Sequence, residues 1–259
     1  MKKWSPRGEP LSGQGSSVAW TPNARAALLH TIVKHNIKHV VDAPCGDLTW
    51  MQTLFPVFEA LGVRYTGVDI VRSQIASHSA RFARPGWREF AVVDLATTPP
   101  PRGDLIYSRQ ALQHLNAYDA LRVMHQWSAL ASDSGARPLL LTTTYEQPHG
   151  NPDENYRPKL PDADMVFLNF LRPPFDLPPP LETFIEQNRS DAGFYERLGL
   201  WRLPLTVRAR GATCRVKSGA AARQGEARRK PSAASGRDSW LTHRPLRVVR
   251  TPSRGHTAP

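Results

Sequence analysis

Cysteine is nearly missing: 259 residues hold two, Cys45 and Cys214, far apart in the chain. That spacing offers neither a disulfide framework nor a thiolate zinc site, so a cytoplasmic protein without a bound metal is expected. Long apolar runs are missing too. No stretch approaches the ~20 residues that span a membrane. Lys2 and Lys3 have no apolar segment behind them, so the N-terminus does not read as a secretory signal. There is no internal repeat. Acidic residues are scarce beside basic ones in the last fifth of the chain. Residues 206–259 carry 13 Lys/Arg against two Asp/Glu, net +11, whereas residues 1–205 carry 21 against 20, net +1. The overall +12 therefore describes a tail and says little about the folded part.

Residues 21–205 show short apolar runs alternating with helical segments. Residues 1–20, rich in Gly, Ser and Pro, read as a flexible N-terminal segment. A helix is expected from Thr21-Pro22, with threonine as cap and proline at the first helical position, to about Asn36. Its Leu28, Leu29, Ile32 and Val33 should face a core. Five strands follow, at 39–43 (HVVDA), 65–70 (YTGVDI), 90–94 (FAVVD), 104–107 (DLIY) and 138–143 (PLLLTT). Each is a short apolar run, as strands buried on both faces should be. Helices are expected over 47–61, where Pro56 should kink or end the helix, and over 71–82. Pro99-Pro100-Pro101 leaves no room for a long helix before the fourth strand. The connection 109–130 should split in two, with Asn116 capping the second piece and Asp119 in its first turn. Segments 181–186 and 198–203 are further strands, placed to pair antiparallel and extend the sheet. Between them and the fifth strand lies a proline-rich insertion, 145–180, expected to cover a ligand. Residues 206–259 lack the apolar content to fold and read as a disordered tail.

A parallel α/β sheet binds ligands beyond the carboxyl ends of its strands, and three successive strands here end in an acid: Asp42, Asp69 and Asp94. A carboxylate after the second strand suits the two hydroxyls of a ribose, since it accepts from both. After the first strand, Asp42-Ala43-Pro44-Cys45-Gly46-Asp47 makes a tight turn in which glycine lets backbone approach a ligand. After the third, the carboxylate of Asp94 and the neighbouring Leu95 amide match an adenine edge.

The string 40–51 (VVDAPCGDLTWM) resembles the first cofactor-binding motif of class I methyltransferases that use S-adenosylmethionine (SAM). Segment 65–70 resembles their acidic second-strand motif, and 104–115 (DLIYSRQALQHL) their fourth-strand motif. DAPCGD with Trp50-Met51, then LLTTTY and PPFDLPPPLE, is similar to a bacterial and algal branch of that family, over roughly residues 13–205. The resemblance implies a Rossmann-like, doubly wound α/β sheet of seven strands, mostly parallel with one antiparallel strand. It also implies a SAM site. Asp42, Pro44 and Gly46 would stand at the methionine end, Asp69 with Ile70 at the ribose, and Asp94 and Leu95 at the adenine. Ser108 and Arg109 would lie under the transferred methyl. The sequence departs from the family where Pro44 and Leu48 replace glycines, leaving Gly46 alone of three. That departure argues against a dinucleotide, whose pyrophosphate needs a glycine-rich turn at a helix N-terminus.

The expected function is methyl transfer from SAM to a small-molecule acceptor, with His114 as candidate general base if the acceptor is a hydroxyl. The alternatives are a catalytically inactive SAM-fold binding protein, a dinucleotide-using enzyme, and a protein that meets nucleic acid through tail 206–259 alone. Single residues also have ordinary readings. A strand-end Asp caps turns. Cys45 reads as a small packed residue, Trp50 as core, Tyr107 and Tyr145 as packing, and Arg228-Arg229-Lys230 as a solvated cluster.

Overall fold

The computed structural model describes residues 10–132, 137–146, 155, 166–189 and 194–205. The expected tail at 206–259 and most of the insertion, 147–154 and 156–165, lie outside the described residues, as do residues 1–9. Seven strands make one sheet: β1 (His39–Asp42), β2 (Arg64–Asp69), β3 (Arg88–Val92), β4 (Leu105–Ser108), β5 (Leu139–Glu146), β6 (Glu182–Arg189) and β7 (Phe194–Arg202). Their order across the sheet is β3-β2-β1-β4-β5-β7-β6. The first five pair parallel, and β7 runs antiparallel to both β5 and β6, so it is the one reversed strand.

Alternation along the strands builds two cores. Val40, Leu105, Tyr107, Leu139, Leu141 and Leu200 point to one face; Val41, Ile106, Leu140 and Trp201 point to the other. Apolar residues at both parities explain why each run reads as continuously hydrophobic. The first face is covered by α1 (Pro22–Lys34), α2 (Phe55–Ala60) and α3 (Arg72–Phe82) through Leu28, Ile32, Phe58 and Ile75. The second is covered by α4 (Ala117–Ser132), whose Ala120, Val123, Met124 and Trp127 lie on one stripe. Asn116 caps α4 by accepting the Asp119 N–H at 3.0 Å. No helix joins β3 to β4, where the three prolines run.

Several boundaries differ from the sequence expectation. Val33 is 66% exposed, because the face of α1 that meets the sheet is set by Ala24, Leu28 and Ile32, and Val33 follows one residue round the helix. Thr21 precedes α1 but its hydroxyl turns back to the Ser17 carbonyl at 3.1 Å instead of capping the helix. The expected helix over 47–61 breaks into a turn, a 3-10 segment (Met51–Leu54) and α2, and Pro56 sits in the first turn of α2, where proline needs no N–H partner. Residues 10–20 form two 3-10 turns, Gln14–Ser16 and Val18–Trp20, within the segment expected to be flexible. Of the insertion, 166–180 is packed into the second core through Leu168, Phe170, Phe175 and Leu177. Asn155 clamps it, donating to the Asn169 and Pro173 carbonyls at 2.8 and 2.7 Å while accepting the Asn169 N–H at 2.9 Å.

Two substitutions on α1 read this packing. Leu28→Ala should destabilise the protein by about 2–5 kcal/mol, because a fully buried methyl pair leaves a cavity. Val33→Ala should change stability by less than about 0.5 kcal/mol. Urea denaturation of the two variants measures both, and equal losses would mean that α1 docks by a different face.

Candidate functional site

The strand order reverses between β1 and β4, and a cleft of about 500 Å³ opens there at the carboxyl ends of β1, β2 and β4. Asp42, Pro44, Gly46, Asp69, Arg109 and His114, all singled out from sequence, line it. Of the other candidates, Ser108 is wholly buried at the end of β4, and Ile70 is 61% exposed outside the lining. Asp94 and Leu95 follow β3, one strand further out. Asp94 accepts the Ala96 N–H at 3.0 Å, the turn-capping geometry of an Asp, and Leu95 packs against the second core.

The loop after β1 is held from three sides. Gly46 has φ +58, a left-handed conformation that glycine adopts freely. Its N–H donates to Asp69 Oδ2 at 3.1 Å, and Asp69 Oδ1 accepts the Val71 N–H at 3.0 Å. His78, buried on α3, donates through Nε2 to the Gly46 carbonyl at 2.8 Å. From the N-terminal side, Ser12 and Asp47 exchange two hydrogen bonds of 3.0 Å, Ser12 N–H to Asp47 Oδ2 and Asp47 N–H to Ser12 Oγ. Leu48, which stands where the resembling family has a glycine, also sits at positive φ, +59, with its side chain buried in the first core. The glycine-like backbone path is thus retained, and burial offsets the steric cost.

The charges in the cleft are shaped by burial. Asp42 is buried and accepts the Tyr65 hydroxyl at 2.7 Å. Loss of water raises its pKa to about 8, against the lowering effect of the Tyr65 hydrogen bond, so its carboxyl is mostly protonated at neutral pH. Cys45 is buried too, and burial with the nearby Asp42 and Asp69 drives its thiol far above its ordinary pKa. It is a packed thiol and not a nucleophile. Tyr107 and Arg109 line the cleft, and neither the Tyr107 hydroxyl nor Arg109 Nη2, both buried, has a hydrogen-bond partner among the described residues. Trp50, read from sequence as core, is buried in the first core and also borders the cleft, edge-on to Tyr107 and 5.8 Å from the Arg109 guanidinium.

Sequence reasoning did not find what stands behind Arg109. Its Nε donates to Glu186 Oε1, and Gln110 Nε2 donates to Glu196 Oε1; both glutamates are buried. Glu186 falls where β6 slips register between Ile185 and Gln187, a bulge of the kind that re-aims a side chain beside a site. Burial raises the Glu186 pKa, with Arg109 opposing and Glu196 adding to the rise. For Arg109 burial works against the charge, but Glu186 leads the effects that outweigh it, and its pKa is raised. Gln110, at φ +48, is also pinned by its N–H to Thr143 Oγ1 at 3.0 Å. The visible signal was Glu186 at the end of an apolar strand candidate; Glu196 lay outside the run 198–203. The N-terminal contribution was also missed: Leu11, Ser12, Gly13, Gly15 and Ser16 line the cleft, whereas none of 166–180 does. Among the described residues no three His, Cys, Asp or Glu side chains cluster as metal ligands would, and no helix is long and apolar enough to cross a membrane.

With this geometry in hand, comparison with known proteins is informative about the fold. A family described as a methyltransferase domain matches residues 41–136, from β1 into the end of α4 and just beyond. No curated protein matches the chain in sequence. Among solved structures the chain is similar to human N-acetylserotonin methyltransferase in complex with SAM, at 12% identity and TM-score 0.46, over 76% of this chain and 60% of that one. It therefore spans about three-fifths of that protein's length. It is similar to the methyltransferase domain of bacterial CtHen1, at 11% identity and TM-score 0.51, over 71% of this chain and all of that one. It is also similar to the N-methyltransferase NodS of Bradyrhizobium japonicum WM9, at 14% identity and TM-score 0.52, over 74% and 91% of the two chains. The seven-stranded sheet with one reversed strand is the Rossmann-like methyltransferase fold, and residues 41–136 match its methyltransferase domain.

Proposed function

We propose that the chain is a methyltransferase that uses SAM and modifies a small molecule. The observation that carries this reading is the charge of the cleft. Asp47 and Asp69 line it, together with Asp42, which holds a proton at neutral pH in the free cleft and can give it up to a bound cation, against one guanidinium, Arg109, that Glu186 already balances. Such a lining attracts a sulfonium and an ammonium and repels a pyrophosphate. Its volume of about 500 Å³ suits a small ligand. The reading places Asp42, Pro44 and Gly46 at the methionine end of SAM and Asp69 with Ile70 at its ribose, with Asp94 and Leu95 towards the adenine. Ser108 and Arg109 stand beneath the methyl, and the domain runs over 21–205.

SAM supplies a methyl on a sulfonium that passes in line to a nucleophile, so the protein has mainly to align and desolvate. Arg109 Nη2 and the Tyr107 hydroxyl, buried donors without partners among the described residues, orient an oxygen of the acceptor. His114, in the same lining, accepts the proton when the nucleophile is a hydroxyl. Residues 11–16, and not 166–180, form the cover on the described side of the cleft.

Calorimetric titration with SAM and with S-adenosylhomocysteine should show binding, and titration with NAD none. Asp69→Ala should weaken SAM by about 1–3 kcal/mol, the penalty for unpaired buried polar groups. Unchanged affinity in a folded variant would remove Asp69 from the site.

Asp42 makes a second prediction. The free cleft holds a proton there up to pH of about 8. A bound cation favours the carboxylate and expels that proton, so SAM affinity should rise between about pH 6 and 8, by at most about tenfold per unit. In the free protein the sign is opposite. The folded state keeps a proton that the unfolded chain releases near pH 4, so stability falls as pH climbs from about 4 to 8. Asp42→Asn should flatten both dependences, measured by titration and by urea unfolding at several pH values. A wild-type affinity that ignores pH in this window would exclude a protonated Asp42 from the binding step.

A further inference from the structure

The cleft occupies the carboxyl end of the sheet, and the amino end carries the opposite charge. Two adjoining concavities there, about 380 and 250 Å³, share Gly103, Asp104 and Pro138. Five exposed cations line them: Lys38 before β1, Arg64 opening β2, Arg102 before β4, Arg137 before β5, and Arg202. Arg202 reaches this end because β7 is reversed and sets it opposite Leu139, the first residue of β5. One acid, Asp104, stands among them, and its Oδ2 is engaged by the Lys38 and His39 backbone N–H groups, both at 2.9 Å.

Elsewhere several cations are matched, Lys34 by Glu182, Arg84 and Arg88 by Glu59, Arg122 by Asp119 and Arg197 by Glu146, whereas the exposed Arg72 and Arg81 at opposite ends of α3 form no ion pair among the described residues and do not cluster. Lys38, Arg64, Arg137 and Arg202 form no ion pair among the described residues. Residues 1–205 are nearly neutral overall, so this is a local concentration of positive charge. The His39 pKa is lowered by burial first and then by the Arg64 charge, with Asp104 and Glu89 opposing. The described chain ends at Leu205, three residues beyond Arg202, and the sequence that follows carries net +11.

We propose that this amino-end surface binds nucleic acid through its phosphodiester backbone, with the cleft left open at the other end. Clustered cations such as Lys38, Arg64, Arg137 and Arg202 release counterions from a polyphosphate on contact, and concavities receive phosphates without reading bases. A membrane surface is the less suitable partner. Of the apolar residues of the lining, Ile37, Ile106, Pro138 and Leu139 are buried and Leu130 is half-buried, so none stands exposed to insert among lipids.

The test uses the full chain and fluorescence anisotropy with a labelled single-stranded RNA of about 30 nucleotides and the DNA of the same sequence. The triple variant Lys38→Glu, Arg64→Glu, Arg202→Glu is compared with a control of equal charge change on α3 and α4, Arg72→Glu, Arg81→Glu, Arg122→Glu. Between about 50 and 200 mM salt the first triple should bind at least about tenfold more weakly, with a log–log salt slope reduced by about 2 to 3. The control should lose less than about threefold, since it alters only the long-range field. Equal losses in the two triples, or none in the first, would overturn the proposal and leave the effect to net charge and the segment after Leu205. Vesicles of phosphatidylcholine with about 30% phosphatidylserine supply the other arm. Vesicle binding lost in the first triple while RNA binding persists would assign the surface to lipid and overturn the proposal. The neutral triple Lys38→Gln, Arg64→Gln, Arg202→Gln, with thermal melting of every variant, guards against misfolding and should fall between wild type and the charge reversal.

Discussion

Asp69 accepts two backbone N–H groups at once, Gly46 at 3.1 Å and Val71 at 3.0 Å, and so joins the loop after β1 to the loop after β2. The rest of the cleft follows from that joint. With Gly46 held at positive φ, its carbonyl meets His78 and its neighbour Asp47 meets Ser12, which draws the N-terminal residues over the opening. A charged acceptor satisfying two donors is a strong use of one side chain. It also explains why a strand-end Asp is at once structural and available: each carboxylate oxygen retains a second lone pair for a ligand.

A second network sets the far wall. Arg109 and Gln110 leave β4 and are caught from β6 and β7 by Glu186 and Glu196. The buried guanidinium is balanced before any ligand arrives, so the cleft presents it as a directed hydrogen-bond donor more than as a free positive charge. The same choice leaves the acids on the β1 and β2 side to dominate the field. The proposed preference for a cationic cofactor therefore rests on the acids at the carboxyl ends of the paired strands β1 and β2, while the edge strand β6, held to the sheet through the reversed β7, supplies the glutamate that balances Arg109.

Parallel strands give the two ends of the sheet different inventories, and this protein sorts its charge accordingly. Acids gather where β1 and β2 end, and cations gather where β1, β2, β4 and β5 begin. Separation by the length of a strand keeps either field from cancelling the other at contact range, as the two proposed ligands, a small cation and a polyanion, require.

The sequence by itself determined the alternation of elements, the seven strands, the one reversed pairing partner and the acids at strand ends. These are local properties: apolar runs of strand length, prolines and caps act within a few residues of themselves. It also placed Asp42, Asp69 and Arg109 in one site, because strand ends in a parallel sheet converge whatever the loops do. Tertiary structure alone decided the remainder. Whether Val33 or Ile32 faces the sheet depends on how α1 is rolled. Leu48 keeps a glycine's backbone path only because a core is there to receive its side chain. Asp42 holds a proton because burial strips water from its carboxyl, an effect that outweighs the opposing hydrogen bond from Tyr65. Glu186 and Glu196 reach Arg109 and Gln110 only after some eighty residues of intervening chain have folded, and a bulge in β6 has turned one of them inwards. Burial and long-range pairing are collective, so no window of the sequence contains them.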